Sequence, residues 1–288
     1  MKEKVYIGSW TISCGHGLGT ENASKPLHVA IGAPEPYKEI VPRATYPHEA
    51  FEDKLAEISD VTPRLRDEVQ TCLASEQKVV VIGGDHSIAL GSVAGTLAYD
   101  ENAAVIWFDA HGDVNTEETS PSGNIHGMPV AALLGLCSSD LNKVAKPYLK
   151  PSNIFWIGVR DLDEGEKMLA KQYGLTMFSA QEVRRMRMAE VMRTIAERLR
   201  QQKVKTLHLS FDIDGMDPSI VSATGTAVPE GLQQGDFEEF VQALSFEEMP
   251  ELRVLDFVEY NPAMDVDGKT LRWCKEALKE LIGVMSCE

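Results

Sequence analysis

The chain of 288 residues is 43% hydrophobic and 25% charged, which is typical of a globular protein and excludes a fibrous or disordered one. Its 44 acidic residues outnumber its 28 basic residues, and the net charge of −16 argues against nucleic acid or an anionic membrane as partner and favours a small cationic substrate. No apolar run approaches the roughly 20 residues that span a bilayer, and the first residues lack the apolar stretch of a signal peptide, so we expect a cytoplasmic protein.

Short apolar, β-branched runs alternate along the chain with longer amphipathic stretches, which is the pattern of βα units. The predicted strands are, in chain order, 4–7, 78–82, 104–108, 154–159, 175–178, 206–211 and 252–257. The predicted helices are 51–75, 87–99, 127–136, 163–173, 180–202, 236–245 and 269–282. The strands are almost continuously apolar, as expected when helices cover both faces of a sheet. We therefore predict an α/β protein with three α/β/α layers, a mostly parallel central sheet and a single domain over 1–288; residues 8–48 are not assigned.

Acidic residues and histidines follow three of these predicted strands directly. The segments are GGDHS at 83–87, DAHGD at 109–113 and DIDGMDP at 212–218. In an extended chain, residues two apart point to the same side, so the side chains within each segment converge. A single Asp-x-Asp pair is typical of a turn or a helix cap. Three such segments at the carboxyl ends of parallel strands, where open sheets bind ligands, predict a functional site.

These carboxylates would repel one another and leave buried charge uncompensated unless cations lay among them. The charges of the four aspartates would be balanced by two divalent cations, with the two histidines as neutral ligands. The predicted ligands are His86, Asp109, His111, Asp113, Asp212 and Asp214. Because the set is rich in oxygen and imidazole and has no thiolate, it favours Mn(II) over zinc.

The segments GGDHS, DAHGD, SGNIHG at 122–127 and SFDIDGMDP at 210–218 resemble the motifs of the ureohydrolase family, most closely those of the arginases. The resemblance extends over residues 78–262. It implies a binuclear manganese centre, two Mn(II) per subunit, in which Asp109 and Asp212 bridge the ions. It also implies the reaction, in which a metal-bridging hydroxide attacks the guanidinium carbon of L-arginine and yields L-ornithine and urea.

The same resemblance assigns the residues around the guanidinium group. Glu259 matches the glutamate that binds this planar cation through paired hydrogen bonds; from the bare sequence it would be a solvated loop residue. His126 matches the histidine proposed to carry a proton to the leaving amine, which its ordinary pKa of about 6.5 suits. Asp214 is a further proton acceptor, and Thr226 matches a threonine of an active-site turn.

A polar loop and a helix start are expected to bind the amino-acid end of the substrate. By resemblance, the residues that contact it are Asn115, Ser120, Ser122, Asn124, Asp163 and Glu166. Asp163 would receive the α-ammonium group with Glu166 nearby. Both acids would equally complement a helix N-terminus, and the two roles are compatible.

Two other functions remain open at this point. Agmatine or another guanidino compound would be the substrate if no α-carboxylate had to be bound, and a non-catalytic, metal-binding regulatory protein would keep the ligands without turnover. Family members form trimers or hexamers, so we expect a homo-oligomer. The N-terminal segment departs from the family, because Ser24–His28 stands where arginases carry a Gly-Pro pair followed by arginine.

Several residues are predicted to have no chemical role. The cysteines are odd in number and widely spaced, so we expect neither disulfides nor a zinc site at Cys14, Cys72, Cys137, Cys274 and Cys287. The glycines of 15–19 miss the spacing of a nucleotide-binding loop. Isolated histidines are expected to be structural, and they are His16, His28, His48 and His208.

Overall fold

The computed structural model describes residues 2–11, 19–34, 37–46, 50–138 and 140–286. Their strands form one 8-stranded sheet in the order β2-β1-β3-β8-β7-β4-β5-β6, and every pair of neighbours is parallel. The strands are β1 Lys4–Trp10, β2 Tyr37–Ile40, β3 Lys78–Gly84, β4 Ala104–Phe108, β5 Ile154–Val159, β6 Thr176–Ser179, β7 Thr206–Asp212 and β8 Glu251–Val258.

Helices cover both faces of this sheet. They are α1 Ser24–Ile31, α2 Phe51–Ala74, α3 Ala89–Tyr99, α4 Pro129–Leu133, α5 Leu141–Val144, α6 Glu164–Tyr173, α7 Ala180–Met186, α8 Met188–Gln201, α9 Gln234–Ala243 and α10 Lys269–Val284. The three-layer α/β/α fold predicted from the sequence is confirmed. No helix among the described residues is both long and apolar enough to cross a membrane.

The core lies on both faces of the sheet because successive strand residues point in opposite directions. On one face Phe108 stacks on Phe211 with ring centroids 4.3 Å apart, and Phe211 stacks on Phe257 at 5.5 Å. Trp107 and Trp156 belong to the core of the other face. Burial of such a side chain contributes about 1.5–3 kcal/mol to folding. These rings therefore hold neighbouring strands in register as well as stabilising the fold.

Register brings four strand ends to one level of the sheet. Ile82 of β3 pairs with Phe257 of β8, Phe257 pairs with Phe211 of β7, and Phe211 pairs with Phe108 of β4. The residues that follow these four positions must therefore emerge at the same edge. They are the segments in which the sequence predicts the site.

The structure corrects two of the predicted elements. The helix predicted over 180–202 is broken into α7 and α8 at Arg187, whose φ of 75° lies in the left-handed region and cannot continue a helix. The helix predicted over 127–136 shrinks to α4. Strand β2 and helix α1 lie in the unassigned segment 8–48. Cys72, Cys137 and Cys274 are buried and free, whereas Cys14, His16, His48, Cys287 and most of 15–19 lie outside the described residues.

Candidate metal centre and substrate cavity

The residues predicted as metal ligands come together at the carboxyl edge of the sheet. Around His86, which follows β3, the Nδ1 atom lies 2.9 Å from Asp109 Oδ2, 3.2 Å from Asp113 Oδ2 and 3.2 Å from Asp212 Oδ2. His111 Nδ1 lies 3.3 Å from Asp109 Oδ1 and 3.1 Å from an aspartate of the turn after β7. That aspartate is Asp214. The side chains therefore form two groups.

Asp109 belongs to both groups and turns a different oxygen toward each. Its Oδ2 faces His86 and its Oδ1 faces His111. His86, Asp109 and Asp212 could hold one ion, and Asp109, His111 and Asp214 a second. This arrangement supports bridging by Asp109, and bridging by Asp109 and by Asp212 both stay predictions.

The chemistry of this donor set fits divalent cations. His86 Nδ1 is buried and makes no hydrogen bond of normal geometry with any residue that the structure describes. The ring is oriented from behind, because its Nε2 atom is hydrogen bonded to Ser210 Oγ at 2.9 Å and its face stacks on Trp107 at 4.1 Å. The nitrogen that faces the carboxylates is thus held ready as a ligand, which is how metal-binding histidines are usually fixed.

The pKa values of the aspartates show how much the cluster needs positive charge. Burial raises the pKa of Asp113 to about 7, and the charge of Asp109 adds to this effect. Burial, followed by the charges of its aspartate neighbours, also holds the pKa of Asp212 well above its usual range. Burial also disfavours the charge of Asp109, but the neighbouring His111 and His86 outweigh this effect and hold the pKa of Asp109 well below its usual range. Cations among these groups would favour the ionised carboxylates.

A buried polar network supports His86 from the side away from the carboxylates. Ser210 also donates to Asp256 Oδ2 at 3.3 Å, and the same oxygen accepts from Ser92 at 2.6 Å and lies 2.9 Å from His208 Nε2. His208 is therefore structural, as predicted. One signal for this network lies in the sequence, since the polar residues His208 and Ser210 are two apart in an apolar strand; the structure adds that Ser210 pairs in register with Asp256 of β8.

Arg160, which follows β5, has a role that no sequence pattern indicates. Its half-buried guanidinium donates only to backbone carbonyls among the described residues, and it joins two loops. The acceptors are Gly158, Asp214, Gly215 and Met216 on one side and Val228 and Pro229 on the other. Arg160 therefore fixes the turn that carries Asp214, a predicted ligand, against the loop that follows Thr226.

Glu259 and His126 lie next to each other beside the predicted metal ligands. Glu259 is buried, and its Oε1 accepts a hydrogen bond of 2.7 Å from the backbone N–H of His86 and lies 4.0 Å from His126 Nδ1. Burial, and then the charge of Asp85, raises the pKa of Glu259 to about 8. Its φ of 68° is rare for a residue with a side chain, and such backbone strain is common at functional sites.

These residues open into a cavity of about 390 Å³. The predicted catalytic and substrate-binding residues that line it are His126 and Asn115, Ser120, Ser122, Asp163, Glu166, Thr226 and Glu259. Asn124 is placed differently, because its side chain is buried behind the loop and accepts a hydrogen bond of 2.5 Å from Lys54. Thr226 lines the cavity, and its hydroxyl donates to Asp214 Oδ2 at 2.9 Å.

The acids expected at the amino-acid end have structural partners as well. Asp163 Oδ2 accepts from Asn115 Nδ2 at 2.8 Å. Glu166 accepts from the backbone N–H groups of Val114 at 3.1 Å and Asp163 at 2.9 Å, and burial raises its pKa to about 7. Asp163 and Glu166 therefore stabilise the start of α6 and also line the wall of the cavity.

The sequence model of the arginase family matches residues 24–283 of the chain. The chain belongs to the arginase family. An arginase of Entamoeba histolytica is 40% identical over 229 residues, which cover 78% of this chain and 76% of that protein. An arginase of Bacillus caldovelox is 39% identical over 234 residues, which cover 80% of this chain and 76% of that protein.

Solved structures agree with this membership. The E. histolytica arginase, in complex with L-ornithine, has a TM-score of 0.87 and the B. caldovelox arginase 0.88, at 32% and 33% identity, and each comparison covers 98% of this chain and 99% of the other. A formimidoylglutamase of Bacillus subtilis shares the fold with a TM-score of 0.81 at 19% identity, over 100% of this chain and 88% of that one. This arginase-family chain is a hydrolase, but the fold alone does not select its substrate.

Proposed function

We propose that the protein is an arginase, which hydrolyses L-arginine to L-ornithine and urea, with residues 1–288 acting as one catalytic unit. The observation that supports this most strongly is the composition of one cavity. Its wall joins the two His/Asp groups to a buried glutamate, and it also carries amide and hydroxyl groups and acids suited to an amino acid. If the guanidinium group of arginine lay beside the His/Asp groups and the glutamate, its amino-acid part would lie beside the amide, hydroxyl and acidic groups.

The proposed cofactor is a pair of Mn(II) ions, held by the two groups that share Asp109. The chemistry that such ions supply when bound is a lowered pKa for water, so that a nucleophile is available near neutral pH. The protein's part is to orient the ligands. Ser210 fixes the ring of His86, and Thr226 and Arg160 fix the turn of Asp214.

Glu259 is the proposed guanidinium ligand. A planar cation can donate two parallel hydrogen bonds to one carboxylate, and in a buried site such charged hydrogen bonds are strong. Because burial raises the pKa of Glu259 to about 8, an incoming guanidinium would favour its ionised form and be held in turn. The bond from the His86 N–H fixes this carboxylate beside the metal ligands.

His126 is the proposed proton carrier to the leaving amine. Its side chain is 18% exposed, so it reaches both the cavity and solvent, and its Nδ1 lies 4.0 Å from Glu259 Oε1. This proximity supports a role for the imidazole as proton donor to a guanidinium nitrogen bound by Glu259. Asp214 is a second proposed acceptor of a proton.

The other end of the cavity is suited to an α-amino acid. Ser120 and Ser122 present hydroxyl groups, and Asn115 presents an amide, which can donate to a carboxylate without adding charge. Asp163 is the proposed partner of the α-ammonium.

From the family resemblance we also propose that the chain works in the cytoplasm as a homo-oligomer, a trimer or a hexamer. Light scattering after size exclusion tests the oligomeric state directly.

Agmatine remains the second candidate substrate, and the charge of the cavity favours it. The described residues of the wall include acids but neither Lys nor Arg, and the acids are Asp113, Asp161, Asp163, Glu166, Asp212 and Glu259. A substrate without a carboxylate meets less repulsion there. Urea release from arginine, agmatine and 4-guanidinobutyrate, measured in parallel on the manganese-loaded protein, tests the proposal. The arginase assignment requires the highest kcat/KM for arginine, and a higher value for agmatine contradicts it.

A further inference from the structure

Lys54 lies behind the loop that forms the amino-acid end of the cavity. It belongs to the first turn of α2, more than sixty positions before the loop in the sequence, and only 9% of the residue is exposed. Its Nζ donates to Asn124 Oδ1 at 2.5 Å and lies 3.4 Å from the carbonyl oxygen of Gly123. A buried ammonium thus contacts two consecutive residues of the substrate loop.

The same two residues hold the hydroxyl groups that line the cavity. The backbone N–H of Gly123 donates to Ser120 Oγ at 3.0 Å, and that of Asn124 donates to Ser122 Oγ at 3.2 Å. The two hydroxyl oxygens lie 3.5 Å apart. Lys54 is therefore connected to each hydroxyl through one residue of the loop. Because an ammonium can only donate hydrogen bonds, it also fixes the amide of Asn124 with its oxygen toward α2.

The charge of Lys54 matters because of what surrounds the cavity. Its described wall contains acids and histidines but no basic residue of permanent charge, so a carboxylate that enters meets a negative potential. Hydroxyl groups donate to a carboxylate but do not offset that repulsion. A buried cation behind them acts across a medium of low dielectric constant and is screened less than a surface charge would be.

We propose that Lys54 is a positioning residue that determines specificity for a substrate with an α-carboxylate. It holds the 120–124 loop so that Ser120 and Ser122 face the carboxylate, and it supplies positive charge behind them. This inference rests on the proposed function, since it deepens the choice of arginine over agmatine.

The test compares Lys54→Met, which removes the charge and the donors at similar length, with Lys54→Arg, which keeps both. For Lys54→Met we expect kcat/KM for arginine to fall by about tenfold or more, mainly through KM, because a contact to a remote part of the substrate is lost. The value for agmatine should stay within about threefold. Lys54→Arg should recover most of the arginine activity. Arg66→Met is the matched control, since Arg66 lies further along α2 and pairs with Asp67 at the surface.

A second readout does not depend on turnover. Calorimetric titration with L-ornithine and with putrescine, which is ornithine without its carboxylate, should show weaker ornithine binding in Lys54→Met and unchanged putrescine binding. If the variant affects both ligands and both substrates equally, or affects neither, the role assigned to Lys54 is refuted. A wild-type protein that releases no urea from arginine would refute the proposed function, and the two titrations would still decide the role of Lys54.

Discussion

Replacement of Arg160 by methionine should both destabilise the protein and weaken its binding of manganese. The guanidinium joins the turn that carries Asp214 to the loop at 228–229, and its shortest bonds run to the carbonyl oxygens of Val228 at 2.7 Å, Asp214 at 2.8 Å and Pro229 at 3.0 Å. At about 1 kcal/mol net for each of these hydrogen bonds, the substitution should lower the free energy of unfolding by about 3 kcal/mol. Arg160→Lys should recover only part of this, because an ammonium lacks the planar fork that reaches both loops.

The effect on metal binding follows from the same contacts. Without the guanidinium, the turn of Asp214 loses its connection to the neighbouring loop, and loss of such an outer contact typically weakens metal binding about 10- to 100-fold. Urea denaturation, with and without chelator, measures the stability, and competition with a fluorescent chelator measures manganese affinity. Arg184→Met is the control, since Arg184 donates to the exposed carbonyl of Glu230 and its loss should cost less than about 0.5 kcal/mol. Unchanged stability and manganese affinity in Arg160→Met would refute this reasoning.

The remaining predictions concern other parts of the site. Ser210→Ala should weaken manganese binding by about tenfold or more, because the ring of His86 loses the partner of its Nε2 atom, and equilibrium dialysis measures this. Burial raises the pKa of Asp113 to about 7, so that below this pH an incoming ion must displace its proton. Manganese affinity, measured by calorimetry, should therefore fall as the pH is lowered from about 8 to about 6, and an affinity independent of pH over this range would contradict the prediction. His126→Asn should lose about 10²-fold in kcat and retain its metal, and a lost ion on metal analysis would make His126 a ligand instead. Asp163→Ala should cost about 2–4 kcal/mol in kcat/KM for arginine but not for agmatine, and equal losses would refute its assigned contact.

The parts of the fold that the sequence predicts are those specified by local patterns. Strands such as 104–108 and 154–159 are buried on both faces, so their apolar runs are continuous and their bounds agree with the structure. Strand β2 covers only Tyr37–Ile40 and includes two exposed residues, so it has no comparable pattern. The break at Arg187 lies within an uninterrupted amphipathic stretch, and no glycine or proline marks its left-handed backbone.

The candidate site divides in the same way. The convergence of the proposed ligand side chains was predictable because each follows a strand and parallel strands end at one edge. The supporting contacts were not, since Lys54 meets Asn124 and Arg160 meets Val228 only through tertiary packing of distant segments. Asn124 shows the limit of a motif: its position in the loop predicted a substrate contact, and the structure adds a contact that no motif indicates, in which its amide oxygen accepts from Lys54 of α2.

The central claim is that two ions, one in each His/Asp group, are needed to hydrolyse arginine. Titration of the chelator-treated protein with Mn(II), followed by urea release from arginine and by metal analysis at each point, tests it most directly. We predict that activity rises until two ions are bound per chain and then levels off, because the groups that share Asp109 form two places for a cation. Full activity with one ion per chain, or in the presence of excess chelator, would contradict the account.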